Sequence, residues 1–325
     1  MQPNSEPVLH LEQPAIEVHQ LRKTYAGDVE AVKGIDFRVA PGEVFGLLGP
    51  NGAGKSTTIG MLTTTIVPTG GSARVAGFDV VSEPLAARAV SSVVFQDAVV
   101  DRALTGRRNL DIHARLWGID PAAARARTSE LADTLALGDL LDRPVASYSG
   151  GERRRLEIAR ALVSQPEVLF LDEPTVGLDP RIRHELLEVI GRLRDRTRIT
   201  ILLTTHYLDE AERLCDRIAI IHSGRIVALD APSVLLAGLG HELVELRVSG
   251  DAETALASLR GRGIAGDDAF TVGSTLTVPL HDRTAGSAIA AIQDADLAAS
   301  SISTRRPTLD DVYLQLTGAR LADAA

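Results

Sequence analysis

The segment GPNGAGKST, residues 49–57, constrains the fold of this chain more than any other part of the sequence. It fits G-x-x-x-x-G-K-[ST], the pattern of a phosphate-binding loop that joins a strand to a helix. The apolar run at residues 44–48 is typical of a buried strand, and residues 56–65 are predicted to form the helix. Because the motif and both flanking elements agree, an ordinary glycine-rich turn is a poor alternative.

The residue types in this loop suit the binding of phosphate. Glycines let the backbone approach closely, and the amides at a helix N-terminus point at negative charge. The Lys55 ammonium can reach β- and γ-phosphates, and the Ser56 hydroxyl can ligate Mg²⁺. The candidate nucleotide-binding residues of the loop are therefore Gly49, Pro50, Asn51, Gly52, Ala53, Gly54, Lys55, Ser56 and Thr57.

Two carboxylates follow a second apolar run, at residues 168–171. Asp172, at the end of this predicted strand, is placed to hold Mg²⁺ beside the phosphate loop. The adjacent Glu173 is placed to polarise an attacking water. Taken alone, an apolar run that ends in Asp-Glu is weak evidence, since any strand can end in acids.

Three further positions are informative by their place in the chain. Ser149-Gly150-Gly151-Glu152 begins a helical stretch that extends to residue 162, and such a helix start is a second anion site. Gln96 follows a strand-like run at 92–95, and His206 follows another at 201–205.

In this order, these segments resemble the motifs of the ATP-binding cassette family of ATPases over roughly residues 16–240. The motifs that carry the resemblance are GPNGAGKST (49–57), the glutamine at 96, YSGGE (148–152), LFLDEP (169–174), GLDP (177–180) and the histidine at 206. The resemblance implies an α/β fold, a P-loop nucleotide-binding domain with a helical signature subdomain, and an active ATPase that uses ATP and Mg²⁺.

The resemblance also implies a role for each matching residue. Catalysis falls to Lys55, Glu173, His206 and Gln96, and the metal to Ser56, Gln96 and Asp172. Tyr25 occupies the position of an aromatic residue that stacks on adenine, and Asp179 that of a residue that bridges a dimer. The signature residues Ser149, Gly150, Gly151 and Glu152 would serve the ATP held by the opposite chain of a head-to-tail dimer. Glu152 is a departure, because the family often has Gln there.

Composition narrows the classes of function. The net charge of −9 argues against nucleic acid as a partner, and the arginines at 153–155 and 160 are interpreted as a solvated helix face. No apolar run approaches the roughly 20 residues of a membrane helix, and no secretory signal is visible. The single cysteine, Cys215, is interpreted as a small buried hydrophobe. The expected location is the cytoplasmic side of the cell membrane, as a peripheral subunit.

The chain is predicted to have a disordered lead (1–15), an ATP-binding domain (16–240, with a helical insert at about 86–165) and a C-terminal α+β extension (241–325). In the extension we expect a strand–helix–strand–strand–helix–strand order, with no catalytic or metal-binding cluster. Its ending, RRPTLDDVYLQLTG (305–318), resembles the extension of daunorubicin-resistance-type export ATPases. Residues 104–110 and 114–118 resemble the same subfamily.

The function that this resemblance implies is the ATP-hydrolysing subunit of an export complex for a hydrophobic drug, antibiotic or similar metabolite. Its expected partners are integral-membrane permease subunits and a second copy of the chain. The alternative is a soluble cassette ATPase acting on DNA or ribosomes. That class usually carries a long coiled-coil insert or two cassettes in one chain, and neither is visible here.

Overall fold

The computed structural model describes residues 13–97, 99–295, 297 and 299–318. The predicted disordered lead thus lies outside the described residues up to residue 12. Within the lead's last residues, the Ala15 amide donates to the Val39 carbonyl at 2.9 Å, and the Ala15 carbonyl accepts from the Ala76 amide at 2.7 Å. The chain divides into two compact units, one of residues up to 45 with 56–204, the other of residues 46–55 with 205 onward. The domain boundaries expected from the sequence stay predictions.

The first unit holds most of the β-rich and helical segments. Its strands are β1 Ile16–Tyr25, β2 Val29–Val39, β3 Val44–Leu48 (which continues into the second unit), β4 Gly70–Val75, β5 Phe78–Asp79, β6 Ser91–Val94, β7 Val168–Asp172 and β8 Thr200–Thr205. Its helices are α1 Lys55–Leu62, α2 Pro84–Ala89, α3 Gly106–Leu116, α4 Pro121–Thr134, α5 Gly150–Leu162 and α6 Pro180–Thr197.

Two kinds of sheet structure follow from the patterning of these strands. β2, β1, β4 and β5 form an antiparallel sheet in that order. β6, β7 and β8 are parallel neighbours, with Val94 opposite Leu171 and Asp172 opposite Thr204. All residues of β7 and β8 are buried, as expected for strands covered on both faces. Parallel pairing brings the ends of these strands, with their polar residues, to one edge of the sheet.

Besides residues 46–55, the second unit contains α7 Leu208–Leu214 and the antiparallel pair β9 Arg217–His222 and β10 Arg225–Asp230. The remaining elements are α8 Pro232–Ala237, β11 Glu242–Val248, α9 Ala252–Gly261, β12 Phe270–Val272, β13 Thr275–Leu280, α10 Ala285–Gln293, β14 Ala299–Arg305 and α11 Leu309–Thr317.

The order predicted for the C-terminal extension is confirmed. Strands β12, β13, β11 and β14 form one antiparallel sheet in that order, the strand order of a ferredoxin-like βαββαβ unit. Alternate residues of β11 and β13 pack with α9 and α10 in an apolar core. Helix α11 was not predicted. It begins after Pro307, with the backbone amide and hydroxyl of Thr308 donating to the Asp311 carboxylate, each at 2.8 Å.

Among the described residues, no helix combines the length and apolar character needed to cross a membrane. In the same residues, no group of three or more histidine, cysteine, aspartate or glutamate side chains could hold a metal ion.

Candidate functional site

The phosphate loop connects β3 to α1, as predicted, and its lysine is held inside it. Lys55 is 4% exposed, and its ammonium donates to the carbonyls of Gly49 at 2.7 Å and Pro50 at 3.0 Å. Gly52 and Gly54 have φ values of 77° and 110°, which L side chains rarely adopt. The loop therefore has the backbone of an anion cradle, with one cation at its centre.

Neighbouring backbone groups hold the loop on two sides. A Cβ at Gly49 would lie 2.3 Å from the Ile221 carbonyl oxygen, so only glycine fits there. The Gly49 amide donates to the Thr205 carbonyl at 3.3 Å, and the Gly224 amide donates to the Ala53 carbonyl at 3.0 Å. The ends of β8 and β9 thus set the shape of the loop.

The side chains of Ser56 and Asp172 are in contact within the first unit. The Ser56 hydroxyl donates to Asp172 Oδ1 at 3.3 Å, and the Thr204 hydroxyl donates to the same oxygen at 2.6 Å. These are hydroxyl and carboxylate oxygens, the donor type that Mg²⁺ prefers. The donor set therefore fits the metal that the sequence predicts at these two residues.

Glu173 follows Asp172 in an unusual conformation. Its φ is +46°, in the left-handed region that non-glycine residues seldom occupy. Its amide donates to the Thr204 hydroxyl at 3.0 Å, and the side chain is buried. The Thr204 hydroxyl thus accepts from the backbone of Glu173 and donates to the carboxylate of Asp172, so one hydroxyl contacts both residues. Such local strain is typical of functional positions.

Arg154 contradicts the interpretation of the arginine run as a solvated face. It is 7% exposed and donates to the carbonyls of Pro174 at 2.8 Å, Asp172 at 3.1 Å and Glu173 at 3.2 Å, and also to that of Phe95. It also pairs with buried Glu157 at 3.0 Å. Burial raises the pKa of Glu157, against the lowering effect of Arg154. Arg154 therefore ties helix α5 to the backbone of both site carboxylates and to the residue before Gln96.

We expect Arg154→Met to lower both stability and turnover. Removing one partner of a buried ion pair costs about 3–5 kcal/mol of the free energy of unfolding, which chemical denaturation measures. Displacement of the carboxylates by about 1 Å lowers turnover by up to roughly 10²-fold. In Arg154→Met/Glu157→Met the stability should return while turnover stays low, because the carbonyl contacts remain lost.

Arg155→Met is the matched control, since the Arg155 guanidinium donates to the Ala136 carbonyl at 3.3 Å and, among the described residues, to neither site carboxylate's backbone. It should keep near-normal stability and turnover. An Arg154→Met enzyme with the turnover of this control would show that Arg154 does not position the carboxylates.

The signature residues form the N-terminus of α5. The Ser149 hydroxyl accepts from the Glu152 amide at 3.2 Å, and the Glu152 carboxylate accepts from the Ser149 amide at 2.7 Å. This capping box accepts Glu or Gln equally, which explains why Glu152 is tolerated. The Ser149 amide is also the main reason that the pKa of Glu152 is lowered. A Cβ at Gly151 would lie 2.3 Å from Ile182 Cγ2, so this glycine lets α5 pack on α6.

The other predicted residues lie at strand or helix ends. Gln96 is exposed, two residues beyond β6, and His206 directly follows β8. Tyr25 ends β1, is 41% exposed, and has the Lys23 ammonium 5.1 Å from its ring centre. Asp179 accepts from the amides of Arg181 and Ile182 at 3.1 and 3.0 Å, so it also caps α6.

Sequence reasoning missed Arg154 and Thr204. The three-residue spacing of Arg154 and Glu157 on one helix was a usable signal, because such residues are neighbours on a helix surface. Thr204 gave a weaker one, as a polar residue that ends an otherwise apolar run.

Comparisons with known proteins show that this chain is similar to ATP-binding subunits. Residues 32–176 match the family model described as ABC transporter. The chain is 46% identical to the daunorubicin/doxorubicin resistance ATP-binding protein DrrA of Streptomyces peucetius, over 94% of this chain and 92% of that protein. It is 41% identical to the doxorubicin resistance ATP-binding protein DrrA of Mycobacterium tuberculosis, over 93% of each.

Comparison with solved structures also finds a similar fold in an ABC transporter subunit. The structure of cbiO1 from Clostridium perfringens, part of the ABC transporter complex cbiONQ, is similar with a TM-score of 0.65 and 28% identity. The match covers 69% of this chain and 91% of that one. The fold class predicted from the sequence is confirmed.

Proposed function

Because the chain belongs to the ABC transporter family, we propose that it powers the export of a hydrophobic drug, antibiotic or similar metabolite. It is an ATPase, and its hydrolysis of ATP is coupled to transport. The daunorubicin and doxorubicin resistance of its relatives supports this class of cargo. The alternative, a soluble ATPase acting on DNA or ribosomes, gains no support from these relatives.

The observation that carries the proposal is the group of Ser56, Asp172, Glu173 and Thr204 at the ends of β7 and β8. Ser56, Asp172 and Gln96 would hold Mg²⁺, which neutralises charge on the phosphates when bound. Glu173 accepts a proton from the attacking water. Lys55 binds the phosphates as a point charge, and His206 holds the γ-phosphate in the transition state. Tyr25 stacks on the adenine.

A second copy of the chain completes each site. Ser149 is exposed at the start of α5, a 13-residue helix whose dipole favours an anion at this end. In a head-to-tail dimer this end faces the γ-phosphate held by the partner chain, and the partner's Asp179 lies near the phosphate loop. ATP then favours the closed dimer because only that state surrounds the nucleotide, and hydrolysis releases it.

A groove on the first unit suits the membrane partner. Its volume is about 260 Å³, and its lining includes Phe95, His113 and Trp117. Beside it, Leu116 is 79% exposed. Burial, aided by the charge of Arg160, lowers the pKa of His113 to about 4. His113 is therefore neutral near pH 7, and its Nε2 accepts from the Trp117 indole at 3.1 Å.

An exposed apolar patch of this kind marks an interaction site, and Phe95 directly precedes Gln96. We assign the groove to the permease subunits, which would hold this chain on the cytoplasmic face of the membrane. A movement of the permease against the groove would then displace Phe95 and, through it, the adjacent Gln96.

The proposal is tested in inverted membrane vesicles that contain the chain with its permease subunits. We expect accumulation of fluorescent daunorubicin that requires Mg-ATP and is lost in vesicles with Lys55→Ala. Arg155→Met serves as the matched control and should transport normally. ATP hydrolysis without accumulation of daunorubicin or any other hydrophobic compound tested would count against drug export.

A further inference from the structure

Helix α11 is anchored to its own module by a partly buried ionic group, in which the Asp311 side chain is 4% exposed. The Arg305 guanidinium donates to both oxygens of the Asp311 carboxylate, each at 2.6 Å, and to Glu245 at 2.7 and 3.0 Å. Burial alone would raise the pKa of Asp311, but Arg305 and Thr308 together lower it. Paired carboxylate and guanidinium groups of this geometry are strong and directional. The start of α11 is therefore fixed in place.

From this anchor, α11 packs against α7 and α8 and places a tyrosine on β9. Tyr313 is fully buried, and its hydroxyl lies 2.7 Å from Nδ1 of His222, the last residue of β9. The two rings are also in edge contact, with centres 5.8 Å apart. Residues 91 positions apart in the chain are thus joined by one hydrogen bond.

His222 begins the hairpin turn that touches the phosphate loop. Ser223 and Gly224 have φ values of 48° and 80°, and His222 pairs with Arg225 across the turn. Two successive positive φ values are typical of a tight two-residue hairpin. At its tip the Gly224 amide donates to the Ala53 carbonyl at 3.0 Å, and the carbonyl of Ile221 lies against Gly49.

This contact controls the direction of a loop amide. In a trans peptide the carbonyl of one residue and the N–H of the next point in opposite directions within one plane. Holding the Ala53 carbonyl therefore sets the direction of the Gly54 N–H, an amide of the phosphate loop. Gly54 has a φ of 110°, and glycine offers little resistance to rotation of this peptide. The orientation depends on the hairpin.

We propose that helix α11 positions the phosphate loop through Tyr313 and His222, and so sets the affinity of the chain's own ATP site. Tyr313 is a positioning residue and touches no nucleotide. The C-terminal extension thereby acts on ATP binding within a single chain, without a permease or a second copy.

Tyr313→Phe tests this by removing one hydroxyl. We expect the isolated chain to bind Mg-ATP about two- to tenfold more weakly, the range for loss of one buried hydrogen bond. KM for ATP should rise by the same factor, while kcat changes by less than about twofold, as for a loss of ground-state binding. Titration with a fluorescent ATP analogue measures the first effect and steady-state hydrolysis the second.

Two further variants keep the test decisive if Tyr313→Phe folds poorly. His222→Asn keeps an acceptor near the position of Nδ1 and should retain most of the affinity for Mg-ATP. His222→Leu has no such acceptor and should bind Mg-ATP as weakly as Tyr313→Phe. The double variant Tyr313→Phe/His222→Leu should bind no more weakly than the weaker single variant, because both changes break the same bond.

Thr271→Val is the matched control, since it removes a hydroxyl that donates to Glu253 within the C-terminal module. It should bind Mg-ATP normally. Normal affinity in a folded Tyr313→Phe chain, or equal affinity of His222→Asn and His222→Leu, would overturn the proposal. So would a loss in Thr271→Val as large as that in Tyr313→Phe.

Discussion

Glu173→Gln should bind Mg-ATP normally but hydrolyse it about 10²–10⁴-fold more slowly, the usual effect of losing a positioned general base. The substitution keeps the size and the backbone of the residue, so the Glu173 amide still donates to Thr204 and Asp172 keeps its partners. Only the acceptor for the proton of water is lost. Because ATP is then trapped, the closed dimer should accumulate.

Single-turnover hydrolysis and size-exclusion chromatography with Mg-ATP measure the two effects. Glu167→Gln is the matched control, since Glu167 is exposed and lies one residue before β7. It should hydrolyse ATP normally and show no ATP-stabilised dimer. A Glu173→Gln chain that stays monomeric and turns over normally would contradict both roles of the residue.

Ser149→Arg should abolish hydrolysis while the isolated chain still binds ATP. Ser149 caps α5, and loss of the cap alone costs only about 0.5–2 kcal/mol of stability. The larger effect arises in the dimer, where an arginine side chain would occupy the space of the partner's γ-phosphate. ATP binding to the monomer, read by nucleotide fluorescence, should stay near normal.

Mixing Ser149→Arg with Glu173→Gln separates sharing between chains from damage within one chain. A head-to-tail heterodimer has one composite site with both lesions and one with neither. Recovery of hydrolysis in the mixture is therefore expected, up to about half the wild-type rate per heterodimer if the sites act independently. Demonstrated heterodimers without recovery would show that the intact site cannot work alone.

Ser149→Ala provides the control for the cap. It loses the same hydrogen bond from the Glu152 amide but adds no bulk, so it should retain hydrolysis much better than Ser149→Arg. Equal loss in both variants would assign the effect to the capping box rather than to the composite site.

The sequence by itself determined the type of site and most of the elements around it. The phosphate loop was predictable because glycine, lysine and serine are required at set positions, between a strand and a helix. Strand β3 has the predicted bounds, since it is an apolar run whose burial needs no distant information. The carboxylates were predictable for the same reason, as polar residues directly after the apolar run of β7.

Only the tertiary structure decided which polar residues support this site. Three consecutive arginines look alike in the sequence, yet the helix turns Arg154 inward onto four carbonyl groups. Helix periodicity decides which of them is buried, but the sequence does not show which face of α5 meets the carboxylates. Likewise, Thr204 lies opposite Asp172 because β7 and β8 pair in one register, and a sequence does not specify that pairing.

The link from Tyr313 to the phosphate loop is the contact that the sequence indicates least. Local patterns predicted the strands of the extension and helices α9 and α10, but neither helix α11 nor its return to the end of β9. Each step of that link joins groups distant in sequence, through a buried hydroxyl, a ring nitrogen and a backbone amide. Such contacts form only when packed apolar surfaces bring the segments together, because a single hydrogen bond is too weak to order them.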